Sequence, residues 1–310
     1  MPLNSFMIIA ATIAYSPLLR QALTMNTHTN DAKPRPEIGA RLDQLCLQSP
    51  DPKRLASFFE RVYDMQVRSL PGGLIECAAA QRRVLVTQGT ANRVAFVGYA
   101  FPDAAALSDQ RAAVAARGVA LLANPSPLFD EGAFAVRDPD GNQVVFGIRP
   151  LETVASEPLP GRLQHAVFRT TRLDEMVDFY EQKLRFIPSD KVRDGEGVMR
   201  ACFLRTDIEH HALAIFRSPE TRLDHFSFET TDWEHIRRWA DDFSVKRVPI
   251  FWGVGRHGPG NDLFFMVKDP DDNLVEISAE IEQVPSDRVM GTWPHEERTL
   301  NVWGNAIMRS

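Results

Sequence analysis

Three side chains that can bind a metal ion lie in strand-like segments of the second half of the sequence. They are His165, His225 and Glu276. Taken alone, a strand histidine is more often a hydrogen-bonded core residue, but Glu276 lies in an apolar segment, where an unpaired carboxylate is costly. Two imidazoles and one carboxylate, with further coordination positions left open, form the ligand set that suits non-haem iron. The three residues together predict one mononuclear metal centre, with Fe(II) as the expected ion.

Two further histidines are close to these segments. His211 follows His210 at the start of an alternating strand, and His257 lies in a glycine-rich loop, residues 252–262. A loop histidine is usually solvated, but this loop leads into the hairpin that carries Glu276, so both rings can face the metal. We therefore take His211 and His257 as candidate catalytic residues.

The elements that must position these residues repeat along the chain. Strand, helix and hairpin follow one another twice in each half, with helices predicted at residues 52–63, 103–117, 173–184 and 233–243. Each half ends in an Asp-Pro-Asp turn that continues with Gly-Asn or Asp-Asn, where Pro presets φ and Gly or Asn tolerates a positive φ. Self-similarity of this kind predicts an α+β fold of four strand-helix-strands (βαβββ) modules, two in each domain.

Alignment of the two halves separates them by chemistry. His165 aligns with Gln44, His225 with Phe96 and Glu276 with Val145. The first half thus has the predicted fold without the three ligands. The metal is therefore expected in the C-terminal domain alone.

A proline-rich stretch near the middle of the chain divides the two halves. The first 24 residues include an apolar run, residues 6–19, that is too short to span a bilayer and has no preceding positive charge. A natural start at Met25 and an ordered N-terminal arm are both open interpretations of this leader. The predicted organisation is a leader or arm (1–37), an N-terminal domain without metal (38–148), a linker (149–161), a metal-binding C-terminal domain (162–284) and a tail (285–310) expected to cover the site.

Composition limits the classes of partner. The 310 residues carry a formal net charge of −6 with no long basic run, which argues against nucleic acid. Charged residues make up 25% and hydrophobic ones 44%, the balance of a soluble globular protein, and no membrane association is expected. The cysteines, Cys46, Cys77 and Cys202, form no CxxC pair. Neither a disulfide framework nor a thiolate zinc site is predicted, and a reducing cytoplasm is expected.

From about Leu42 to Glu282 the sequence resembles the type I extradiol ring-cleavage dioxygenases of the vicinal oxygen chelate superfamily. The most specific motifs are Leu-Asp-His-Phe (223–226), Gly-Arg-His-Gly-Pro-Gly-Asn (255–261) and the segment from Asp-Pro-Asp (269–271) to Glu-Ile-Ser-Ala-Glu (276–280). The resemblance implies two tandem vicinal oxygen chelate domains with Fe(II) on the three ligands named above. It also implies an acid/base role for His211, a substrate-hydroxyl partner at His257, and cleavage of a substituted catechol or trihydroxylated ring with O2 by a homo-oligomer.

Two positions depart from the family's pattern. Met266 stands where the family often has a tyrosine, ten residues before the glutamate ligand, and Trp252 stands where enzymes for carboxylate-bearing substrates have an arginine. Both changes argue for an apolar or uncharged ring substituent. Arg298 in the tail is the residue that would supply a charge instead. The candidate substrate contacts are Trp252, Asn261, Asp262, Met266, Phe203, Val167 and Arg298.

Two other functions are compatible with the same fold. A glyoxalase- or isomerase-type metalloenzyme would act without O2, but such enzymes usually draw ligands from both halves or from two chains, and the first half is poorly equipped for this. A metal-free aromatic-binding protein would have no use for five polar groups in one pocket. Metal content and oxygen uptake distinguish the three.

Overall fold

The structure of the protein, a computed structural model, describes residues 35–149 and 159–308. Most of the predicted leader and linker, including Met25, therefore lies outside the described residues. Within the two described ranges, no helix is long and apolar enough to cross a membrane.

The first half forms an eight-stranded sheet with two helices. The strand order β2-β3-β4-β1-β5-β8-β7-β6 joins two βαβββ modules through the antiparallel pair β1 and β5. In chain order the elements are β1 (Arg41–Ser49), α1 (Pro52–Tyr63), β2 (Gln66–Ser69), β3 (Ile75–Ala78), β4 (Arg83–Gln88), β5 (Arg93–Ala100), α2 (Ala104–Ala116), β6 (Leu122–Ala123), β7 (Phe134–Arg137) and β8 (Gln143–Gly147).

The second half repeats this arrangement in a nine-stranded sheet, whose additional strand comes from the tail. Its elements are β9 (Arg162–Thr170), α3 (Leu173–Asp178), β10 (Ile187–Arg193), β11 (Met199–Arg205), β12 (Leu213–Arg217), β13 (Arg222–Thr230), α4 (Trp233–Val245), β14 (Trp252–Arg256), β15 (Leu263–Lys268), β16 (Leu274–Ala279), β17 (Gly291–Pro294) and α5 (Glu297–Leu300). The order is β14-β15-β16-β13-β9-β12-β11-β10-β17. The prediction of an α+β fold built from four βαβββ modules is thus confirmed.

Helix boundaries follow from capping residues. The Asp51 carboxylate accepts a hydrogen bond from the Arg54 amide, and Pro52 occupies the first turn, where its missing N–H costs nothing. Asp103 and Asp232 cap α2 and α4 in the same way. The helix predicted at residues 173–184 differs, because α3 is α-helical only to Asp178 and continues as a π-helical turn, Phe179–Lys183.

Hydrogen bonds to the two Asp-Pro-Asp turns connect the two halves. Arg54 of α1 donates to the Pro270 carbonyl and to Asp271 Oδ1, both at 2.8 Å. In the opposite direction, Arg172 of the second half, which precedes α3, donates to Asp140 Oδ1 of the first half at 3.2 Å. Each turn joins the two strands of a hairpin, β7 to β8 or β15 to β16, so each half fixes the position of a hairpin in the other half.

Aromatic packing makes the core continuous between the halves. Tyr63, the last residue of α1, contacts Phe228, Trp239 and Phe243 of the second half, with ring centroids 5.3, 5.9 and 5.4 Å away. All four side chains are fully buried. The first half therefore supports the back of the sheet that carries the predicted metal ligands.

Candidate metal centre

The three predicted metal ligands meet on one face of the second sheet. His165, His225 and Glu276 lie on β9, β13 and β16, which are neighbours in the order β16-β13-β9. Ser227 pairs with both His165 and Glu276, and His225 lies two residues before Ser227, so all three side chains point to the same face. The distance from His165 Nε2 to His225 Nε2 is 3.3 Å, and that from His165 Nε2 to Glu276 Oε1 is 3.4 Å.

The first sheet has other residues at the same places. His165 and Gln44 are both the fourth residue of their strands, His225 and Phe96 likewise, and Glu276 and Val145 are both the third. The alignment of the halves made from sequence therefore agrees with the strand positions. At these positions the first half has no group that binds a cation strongly.

Two irregularities in the β9–β13 ladder orient the ligand histidines. Asp224 and Gln164 each lie at a shift in register, where one strand has an additional residue. Such bulges redirect a side chain that would otherwise point to the opposite face. Asp224 Oδ1 lies 2.6 Å from His225 Nδ1, and Gln164 Oε1 lies 2.5 Å from His165 Nδ1. These partners hold a proton on each Nδ1 and leave each Nε2 as a lone-pair donor.

The arrangement fits a bound cation. Burial and the neighbouring histidines hold the pKa of His165 well below its usual range, so its ring is neutral. With Nδ1 donating to Gln164, the lone pair of His165 Nε2 lies 3.3 Å from His225 Nε2 and 3.4 Å from Glu276 Oε1. Glu276 Oε1 is also buried without a hydrogen bond among the described residues. A metal ion between these atoms would give both the His165 lone pair and the Glu276 oxygen a partner.

The two candidate catalytic histidines flank this centre. The His211 ring is buried, with its centroid 4.6 Å from that of His165, and burial holds the pKa of His211 well below its usual range. His257 stacks on Phe264 and donates from Nδ1 to the Leu300 carbonyl at 2.6 Å. Its Nε2 lies 3.3 Å from Glu276 Oε2. Burial alone would lower the pKa of His257, but the bond to Glu276 raises it.

A narrow cavity adjoins the centre, with about 350 Å³ of empty space that includes its opening to solvent. Two predicted substrate contacts, Val167 and Phe203, line it. Its walls are otherwise His165, His211, Phe216, His225, His257, Pro259, Thr299 and Leu300. Most of these side chains are apolar or imidazole, and no arginine or lysine from residues 35–149 or 159–308 is among them.

Five predicted substrate contacts do not line the cavity. Met266 and Trp252 face each other across β14 and β15 and pack in a buried apolar cluster. Asp262 is buried beside His257, and burial raises its pKa to about 7. Asn261 turns the loop with a φ of 54° and offers its carbonyl to Arg256. Arg298 is exposed, because the short helix α5 directs its next two residues inward instead.

Several residues at the site were not predicted. Gln164 and Asp224 had a signal, since a polar residue directly precedes each ligand histidine. Thr299 and Leu300 had none, because only the path of the tail brings them to the cavity. The tail reaches it through β17, which pairs with β10, and through α5.

Comparisons with known proteins find similarity to a large family in the second half. Residues 162–277 match the Glyoxalase/Bleomycin resistance protein/Dioxygenase superfamily. Metapyrocatechase 2 of Cupriavidus necator is 27% identical over 318 aligned positions, covering 90% of this chain and 96% of that protein. Two solved structures share the fold. Homoprotocatechuate 2,3-dioxygenase from Arthrobacter globiformis has a TM-score of 0.72 at 21% identity, covering 88% of this chain and 90% of that one. The Mn(II)-bound glyoxalase from Novosphingobium aromaticivorans has a TM-score of 0.71 at 23% identity, covering 86% and 91%.

Proposed function

From the match of residues 162–277 to the Glyoxalase/Bleomycin resistance protein/Dioxygenase superfamily, we propose that this chain is an Fe(II)-dependent extradiol dioxygenase. Its reaction is the cleavage of a substituted catechol, or of a trihydroxylated ring, with O2. The relatedness to a metapyrocatechase along 96% of that protein supports this class of reaction.

One observation carries the proposal. The three ligand atoms converge at the wall of a cavity that also contains His211 and His257, so metal, proton acceptor and hydroxyl partner share one space. Two histidines and one carboxylate leave coordination positions open, as an ion must if substrate and O2 are both to bind it. When bound, Fe(II) would supply the Lewis acidity that lowers the pKa of catechol hydroxyls and a path for electrons from the ring to O2.

The chain's own residues supply positioning and proton transfer. His211 Nε2 accepts a proton from a substrate hydroxyl, because the low pKa of this buried ring keeps it neutral before substrate enters. His257, fixed at Nδ1 by the Leu300 carbonyl, has its Nε2 available to hydrogen bond to a substrate oxygen. Val167, Phe203 and Leu300 cover the ring and exclude water.

Oxygen uptake tests the proposal directly. The protein is loaded anaerobically with Fe(II), and one O2 consumed per catechol, with the absorbance of a ring-opened product, is the expected result. Protein loaded with Zn²⁺ should be inactive, which controls for metal without redox chemistry. Turnover of a substrate without O2 consumption would favour the glyoxalase or isomerase alternative. Tight binding of aromatics with neither metal nor turnover would favour a binding protein.

A further inference from the structure

A chain of buried polar groups extends behind His211, away from the cavity. His211 Nδ1 lies 3.0 Å from His210 Nδ1, and His210 Nε2 lies 3.0 Å from Asp190 Oδ2. Asp190 and His210 are both 0% exposed, and His211 is 3% exposed. None of the three is one of the proposed metal ligands, and the sequence motifs predict no role for His210 or Asp190.

The direction of the hydrogen bond between His210 and Asp190 follows from the other partners of Asp190. Its carboxylate accepts from Arg288 Nη1 at 3.0 Å, from the Gly291 amide at 3.0 Å and from Trp293 Nε1 at 2.7 Å. Burial alone would raise the pKa of Asp190, but His210 and Arg288 hold it well below its usual range. An ionised carboxylate only accepts, so His210 Nε2 must donate to it.

The direction of the hydrogen bond between His210 and His211 then follows as well. Asp190 already pairs with Arg288, and a protonated His210 would place a second cation on the same carboxylate at 0% exposure, so the neutral ring is the less costly form. In neutral His210, with its proton on Nε2, the Nδ1 atom is an acceptor. His211 Nδ1 must therefore carry the proton that joins the two rings, and its lone pair is on Nε2.

We propose that Asp190 and His210 are positioning residues that hold His211 in its Nδ1–H tautomer, with Nε2 unprotonated toward the cavity. This inference rests on the acid/base role of His211 in the proposed function. In the other tautomer, Nε2 would carry a hydrogen and could not accept the hydroxyl proton of a substrate. The three donors on Asp190 other than His210 come from residues 288–293, so the tail that reaches the cavity also orients the pair.

Nitrogen NMR of the histidine rings reads the tautomer without any turnover. Protein carrying ¹⁵N-histidine, loaded with diamagnetic Zn²⁺, is compared with the His210→Phe and Asp190→Asn variants. The expected wild-type spectrum has a protonated Nδ1 on His211, assigned by its loss in His211→Phe. His210→Phe should convert the ring toward Nε2–H. A wild-type His211 protonated on Nε2, or one unchanged in His210→Phe, would overturn the proposal.

A double-mutant cycle separates positioning from a structural role. His210→Phe should lower kcat by between about tenfold and the full 10²–10⁴-fold of a lost general base, with metal content and KM little changed. In a His211→Phe background the same change should have almost no further effect, because its target is already absent. Equal losses in both backgrounds would show a structural role instead.

Further variants distinguish a failure of this proposal from misfolding and from a failure of the proposed function. Asp138→Asn alters a buried carboxylate of the first half and should leave the His211 tautomer unchanged. If Asp190→Asn fails to fold, His210→Phe alone decides, since it leaves the ion pair of Asp190 with Arg288 intact. A wild-type protein that has the predicted tautomer but cleaves no catechol contradicts the proposed function and not the positioning by His210.

Discussion

Four histidine rings of the second half use their nitrogens in the same way. Each is held at Nδ1 by a protein group, which leaves Nε2 toward the centre. The partners are Gln164 for His165, Asp224 for His225, His210 for His211 and the Leu300 carbonyl for His257. A ring fixed at one nitrogen has its tautomer and plane set before any ligand arrives. The proposed metal ligands and the two candidate catalytic histidines are therefore all oriented before any ligand binds.

Replacing any proposed ligand by alanine should abolish stoichiometric metal binding. His165→Ala, His225→Ala and Glu276→Ala each remove one of the three proposed protein donors and leave only two of that set. Metal analysis after anaerobic loading and desalting measures the loss. His235→Ala, on the partly exposed face of α4, is the matched control and should retain the metal. Full metal content in a ligand variant would remove that residue from the coordination sphere.

Replacing His211 by phenylalanine should separate metal binding from turnover. The ring lies beside His165 without donating to the proposed ion, so metal content should be nearly unchanged. Loss of the proton acceptor should slow ring cleavage by about 10²–10⁴-fold. Steady-state rates at saturating substrate and O2 test this expectation. Wild-type turnover by the variant would contradict the acid/base role.

At the scale of elements, the strands were easier to predict than the bulges within them or the orientation of the tail helix. Alternation along β9 and β13 placed His165 and His225 on the correct face, and the repeat identified the equivalent, ligand-free positions. The bulges at Gln164 and Asp224 were not predicted, because register depends on the pairing of two strands and not on either sequence alone. Arg298 was expected near the substrate, but α5 turns it to solvent and turns the next two residues, Thr299 and Leu300, inward.

The loop of His257 and the tail meet at a position that only glycine fits. The Gly258 amide donates to the Thr299 carbonyl at 3.0 Å, and a Cβ atom on Gly258 would lie 2.8 Å from that same oxygen. Gly258→Ala should push the tail away from the cavity and destabilise the protein by about 1–3 kcal/mol, as overpacking does. Because Leu300 holds His257, kcat should fall as well.

Urea unfolding and steady-state kinetics measure the two effects of Gly258→Ala. Gly195→Ala is the matched control, since a Cβ there meets nothing within 4 Å and its φ is ordinary. Unchanged stability and turnover in Gly258→Ala would show that the tail is not held closely against this loop.

At the scale of the whole molecule, the two sheets share one architecture but have different roles. The first half contributes no ligand, yet its Arg54 holds the Asp-Pro-Asp turn that precedes Glu276, and its Tyr63 packs behind β13. The cavity walls come from the second half alone, including its tail. The charge of those walls therefore decides which substrates are accepted.

The absence of a cationic side chain from the walls should make the protein prefer uncharged catechols. A carboxylate entering this cavity would lose its hydration without gaining a partner, because Arg298 is exposed and Trp252 packs against the sheet. Methyl- and phenyl-substituted catechols should therefore have a higher kcat/KM than homoprotocatechuate. The methyl ester of homoprotocatechuate is the matched control, since it keeps the side chain's position and removes only the charge. If homoprotocatechuate were turned over more efficiently than its ester, a cation would have to reach the cavity during catalysis, and Arg298→Ala would then identify whether the tail supplies it.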